Sequence, residues 1–125
     1  MTASKLHDLI ALANEPSSER RRELLRGVTD LFFTADSHGS AEMGLFDHVM
    51  DDLAGEMEAA VRAELALRLS AASTLPARLA RRLAHDDIEI ASPLLGSGAL
   101  SQDDLISVAT SGGQDHLRAI SRRHD

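Results

Sequence analysis

Residues 79–123, LARRLAHDDIEIASPLLGSGALSQDDLISVATSGGQDHLRAISRR, decide the fold. Leu, Ile, Val and Ala recur there at three- and four-residue spacing, and the runs are interrupted by Asp86-Asp87, by Gly96-Ser97-Gly98 and by Gly112-Gly113. This is the period of amphipathic helices closed by turn chemistry, so the stretch reads as short helices stacked in antiparallel pairs. Pro76 suits the first turn of the helix PARLARRLAH, where its missing N–H would be unpaired anyway. Asp86 and Glu89 have capping-box spacing, which places the start of the next helix, DIEIASPLL, at Asp86. Pro93 lies beyond that helix's first turn and leaves the Glu89 carbonyl without its donor, which predicts a bend or an end there; Gly96 ends the helix in any case. Ser101, with Asp104 three residues on, caps a further helix carrying Leu105, Ile106, Val108 and Ala109. QDHLRAISRR then gives a last one, presenting Leu117 and Ile120.

Towards the N-terminus the same period continues. Residues 4–14 predict a short helix with Leu6, Leu9, Ile10 and Ala13 on one face and Ser4 as its cap, stopped by Asn14-Glu15-Pro16. Ser17 or Ser18 caps a second, whose stripe is Leu24, Val28, Leu31 and Ala35, widened by Leu25 and Phe32. A third opens at Ser40, with Met43, Phe46, Val49, Met50 and Leu53 expected inside and Asp47, Asp51 and Asp52 outside. A break near Gly55 separates it from a fourth, carrying Met57, Val61, Leu65 and Leu69. The expectation is an all-α chain of about eight short helices in one domain over residues 1–125, with N-terminal helices over 1–57 and repeat units over 58–125.

Composition agrees with helices and bounds the chemistry. The 125 residues are 43% apolar but only 2% aromatic, the three aromatic side chains being Phe32, Phe33 and Phe46, so the core must be built from aliphatic residues. Without cysteine there are no disulfides, thiolate metal sites or cysteine nucleophiles, and the chain suits a reducing, cytoplasmic setting. No run reaches the roughly 18 apolar residues of a membrane span, and the N-terminal apolar run is too short for a signal peptide. The net charge of −7 lies wholly in residues 1–60, where twelve acidic residues face five basic ones; residues 61–125 carry eight of each. Such a balance disfavours nucleic acid and anionic membrane as partners.

A loose repeat of helix pairs starts near Val61, Ile88 and Leu117, roughly 28 residues apart, within the range of helical solenoids, and its third unit stops within its first helix. The segments Asp87, Glu89, Ile90, Ala91, Pro93, Leu94 and Leu95, then Leu100, Ser101, Asp104 and Leu105, then Ser111 and His116 through Arg123, resemble in order the bacterial HEAT-like repeat family filed as domain of unknown function 2336. The match is strong over the last third of the chain. The resemblance implies a stacked-pair α-solenoid and a binding role, with no catalytic residue or cofactor to carry over. It fits either a short member or the N-terminal part of a longer protein.

Few residues offer chemistry. His116 reads as a histidine that bonds a neighbouring turn rather than a base. His48 and Asp52 stand one helical turn apart, the spacing of two metal ligands, and His48 is the position a helical phosphotransfer domain would use; Val49-Met50-Asp51 lacks the lysine and small residue that follow such a histidine. Arg78, Arg81 and Arg82 on one helix and Arg118, Arg122 and Arg123 on another suggest a basic face for an acidic partner or for nucleic-acid phosphates, unless they pair with Asp86, Asp87 and Asp103. The expected function is a non-catalytic protein-protein interaction module without cofactor, using Arg78, Arg81, Arg82, His116, Arg118 and Arg122. Met43, Phe46 and Met50 are the expected self-association surface of a homodimer.

Overall fold

The computed structural model describes residues 18–35 and 38–122, and every described element is a helix. In chain order these are α1 (Ser18–Phe32), α2 (Ser40–Ala54), α3 (Ala59–Leu69), α4 (Ala77–Ala84), α5 (Ile88–Leu95), α6 (Gln102–Ser111) and α7 (Gln114–Ser121). The helix expected over residues 4–14 lies outside the described residues. No described helix is long and apolar enough to cross a membrane.

α2 packs on α4, α3 on α5 and α5 on α7, and α4 touches α6 lightly, so the chain forms two rows, α2–α4–α6 and α3–α5–α7, with α1 laid on α2. Between the rows α4 pairs closely with α5, and α6 with α7, while α3 meets α4 only lightly. The pairing is therefore one helix out of phase with the expected repeat: α7 closes a pair with α6 instead of beginning a new unit. The residue spacing explains why. In α4, Leu79 and Leu83 form one row at i, i+4 and Ala80 and Ala84 the adjacent row. The leucines enter the main core with Ile90 and Leu94 of α5; the alanines enter a second cluster with Ala91, Leu95, Leu100 and Val108. Short alanine side chains let helices approach, so the α4–α5 pair is buried on two sides and joins the two clusters.

Local boundaries follow mostly from backbone chemistry. The break at Gly55 is present, Gly96 follows α5, and the Ser101 hydroxyl accepts from the Asp104 N–H at 3.1 Å. Pro93 does not end α5, which runs on to Leu95. Pro76 stands just before α4 and not within its first turn. Asp86 does not start α5: Asp87 is the residue before the helix, with no side-chain cap, and Asp86 accepts from the Asp87 N–H at 2.8 Å.

The expected self-association surface is corrected. Phe46 and Met50 are fully buried and Met43 is half-buried against the same core, so these side chains cover their own chain's interior. Likewise, of Asp47, Asp51 and Asp52, all expected outside, only Asp52 faces solvent, for Asp47 and Asp51 are buried.

Candidate functional site

The third face of α4, left over after its leucine and alanine rows are buried, carries Arg78, Arg81, Arg82 and, one turn beyond Arg81, His85. These four line an open groove of about 410 Å³ with Asp51 of α2 and Ser107 of α6, on the outer side of the α2–α4–α6 row. The groove is built by carboxylates that reach across from neighbouring helices. Asp47 accepts from the main-chain N–H of Arg78 at 3.0 Å and of Leu79 at 2.9 Å, capping α4 from a helix about thirty residues earlier in the chain. Pro76 offers no side-chain cap, and Asp47 supplies the missing acceptor and the negative charge a helix N-terminus favours.

One turn along α2, Asp51 binds Arg82 Nε at 2.6 Å, and Arg78 Nη2 stands 3.7 Å from its other oxygen, too far for a good hydrogen bond. Arg81 Nε reaches Asp104 at 3.2 Å. The Arg82 guanidinium also lies against the backbone of Gly55, where a Cβ would meet it at 3.2 Å. Arg82 is thus a strut between α4 and α2. Arg78 and Arg81, with side chains 58% and 57% exposed, are held more loosely at the groove's surface. The lining of the groove itself holds three guanidiniums and one carboxylate, Asp51, while Asp47 and Asp104 approach from behind it to cap α4 and to hold Arg81.

His85 fixes the groove's end. Its Nδ1 lies 2.8 Å from the Arg81 carbonyl, which can only accept, so that nitrogen carries the proton; in the neutral ring Nε2 then accepts from the Ser107 hydroxyl at 3.0 Å. On its other side His85 borders a second hollow of about 440 Å³, where the two rows are joined by turns and where Asp86, Asp87, Glu89, Asp115 and His116 gather. Asp86 is engaged there by Arg62, at 2.7 and 3.2 Å. Burial pushes the Asp86 carboxyl up, but the Arg62 hydrogen bond and the Asp87 N–H outweigh it and hold the group below its ordinary value. Asp87 and Glu89 make no side-chain hydrogen bond or ion pair among the described residues, and the charge of Asp87 acts on Arg62 from a distance.

The expected basic face is not assembled as one surface. Arg118 and Arg122 stand on or next to α7, in the other row; Arg118 pairs with Asp115 of its own helix at 3.3 Å, and neither arginine lines the groove. Arg123 lies outside the described residues. His116 donates from Nε2 to the Asp86 carbonyl at 2.7 Å, the bond to a neighbouring turn that its position suggests. His48 and Asp52 are both about 60% exposed and 3.4 Å apart. Among the described residues no three His, Asp or Glu side chains group as a metal site would require.

Asp47, Asp51, Asp104, His85 and Ser107 escaped the sequence reading. A signal existed: Asp47 and Asp51 are four residues apart on α2, as are Arg78 and Arg82 on α4, so two helices offered matching rows of opposite charge. Away from the groove, Phe32 and Phe46 flank His38, with Phe32 stacked on its ring at 5.1 Å and edge-on to Phe46 at 5.4 Å, and Phe33 meets Phe32 edge-on at 5.2 Å. His38 bonds the Phe32 carbonyl at 2.8 Å and the Glu42 carboxylate at 2.6 Å, tying the end of α1 to the first turn of α2. No protein-family model, curated protein or solved structure matches this chain.

Proposed function

We propose that the chain is a non-catalytic interaction module of the HEAT-like kind, working in the cytoplasm, whose α4 groove docks an acidic segment of a partner protein. The observation that carries this reading is the three guanidiniums against one carboxylate that line one open groove, with Arg78 and Arg81 exposed and weakly held. The two-row stacking of helix pairs supports kinship with the family filed as domain of unknown function 2336. So does the placement of Ser101 and His116, whose side chains serve as a cap and a turn clasp in the segments that carry the resemblance. The histidines and most of the arginines already serve structural bonds, which supports binding over catalysis. Nucleic-acid docking is the weaker alternative, since the second arginine set lies off the groove and no aromatic side chain lines it to stack on bases.

A fluorescein-labelled peptide of ten glutamates, titrated by anisotropy, tests the reading. Binding should weaken with added salt and fall by about fivefold to tenfold in Arg78→Ala and Arg81→Ala. Absent binding, or binding indifferent to salt and to both substitutions, refutes it; tighter binding of duplex DNA than of the peptide favours the alternative.

A further inference from the structure

The basic groove and the acidic hollow are neighbours. His85 lines both, so one continuous surface carries Arg78 and Arg81 on one side of this histidine and Asp87, Glu89 and Asp115 on the other. The charges on the two sides are opposite: the groove's lining has more guanidiniums than carboxylates, and Asp87 and Glu89 make no side-chain hydrogen bond or ion pair among the described residues. A surface with a positive half and a negative half side by side is complementary to itself after a half-turn about the line between them. Of the four large apolar side chains exposed among the described residues, two adjoin the linings of these hollows in sequence: Ile106 is 60% exposed beside Ser107, and Leu117 is 40% exposed beside His116. An interface needs such apolar anchors, because rim ion pairs alone contribute little.

We propose that the partner segment docked by the groove is the acidic hollow of a second copy of this chain, the two copies related by a two-fold axis near His85. The inference rests on the reading of the groove as an acid-binding face. Each groove meets the other copy's hollow, so the contact occurs twice and is satisfied by two chains, closing as a dimer instead of growing as a filament. A substitution in either half acts at both contacts.

The test uses two charge variants of the full chain, studied by sedimentation velocity from 1 to 200 μM at about 0.1 M salt. In one, Arg78→Glu with Arg81→Gln turns the groove acidic; in the other, Asp87→Lys with Glu89→Lys removes the acidity of the hollow. The wild type is expected to dimerise, and each variant alone to dimerise on the order of tenfold more weakly or worse, since each change counts twice. Mixed in equal amounts, the variants should form a one-to-one heterodimer, for the acidic groove of one then meets the basic hollow of the other at one contact, and the native hollow of the first meets the native groove of the second at the other. A wild type that stays monomeric at 200 μM overturns the proposal, as does a mixture of two folded variants that associates no better than either alone. Circular dichroism establishes that each variant is folded; should Arg81→Gln unfold the chain, Arg78→Glu alone, at the loosest of the ion pairs, replaces it. The Asp87→Lys, Glu89→Lys variant keeps the groove intact, so polyglutamate binding to it separates the two ideas: binding with no dimerisation of the wild type refutes the second copy and leaves the groove standing, whereas loss of both refutes the groove itself.

Discussion

Asp47 shows how much a single side chain decides in this fold. It is 9% exposed, and its two oxygens each take one of the N–H groups at the start of α4 that no carbonyl can reach. Removing a helix cap costs about 0.5–2 kcal/mol, and leaving the buried Leu79 N–H without an acceptor adds to that. Asp47→Ala should therefore lower the urea unfolding free energy by about 2 kcal/mol, and Asp47→Asn, which keeps one acceptor oxygen, by roughly half as much. Equal losses in the two variants would mean that the bond is idle. Asp86 adds a pH dependence whose sign follows from its lowered value. Its stabilising contribution is fully present above the ordinary aspartate range near 4 and is lost as pH falls through the lower native value. The difference in melting temperature between the wild type and Asp86→Asn should be constant from pH 5 to 7 and shrink below about pH 4. A gap that persists undiminished at pH 2 would dissociate that difference from ionisation of Asp86.

At the scale of the helix, spacing decides which sides are buried, and α4 is the extreme case. Three of its sides are assigned: leucines to one cluster, alanines to the other, arginines to the groove. Ala84 is fully buried where α4 meets the second cluster, so Ala84→Leu should overpack that contact and lower stability by about 1–3 kcal/mol. Leu67→Ala on α3, at a side chain 64% exposed, should change stability by less than about 0.5 kcal/mol. The turn between α6 and α7 is equally exacting: a Cβ on Gly112 would lie 2.5 Å from the Val108 carbonyl oxygen and 3.0 Å from the Cβ of His116. These elements also show what a one-dimensional reading captures. Helix period, the break at Gly55 and the Ser101 cap are local and were legible. The phase of the pairing, the burial of Asp47 and Asp51, and the transfer of Asp86 from capping to an ion pair with Arg62 depend on which helices become neighbours. An acidic residue on a helix looks the same in sequence whether it faces water or a guanidinium about thirty residues away.

For the whole molecule the question is what holds α1 to the rest, since it lies outside the two rows. Two kinds of contact are available. Four ion pairs join it to the α2–α3 connection and α3: Arg21–Glu56, Arg22–Glu58, Arg26–Glu64 and Asp30–Arg68, at 2.6–3.0 Å. Leu24, Leu25, Val28, Leu31 and Phe32 bury the other side in the main core, where Phe32 meets Phe46 and His38. The magnitudes favour the apolar contact. Exposed ion pairs contribute about 0–1 kcal/mol each and are screened by salt, whereas truncating a buried phenylalanine costs about 3–5 kcal/mol. Phe32→Ala should therefore destabilise the chain at least twice as much as Arg22→Gln and Arg26→Gln together, and 1 M sodium chloride should leave the Phe32→Ala loss unchanged while reducing the loss in the arginine pair. Urea unfolding followed by circular dichroism at both salt concentrations measures this. A larger loss from the arginine pair would make α1 an electrostatically clipped element, and its acidic and basic residues, instead of its leucines, would then be what fixes its place on α2.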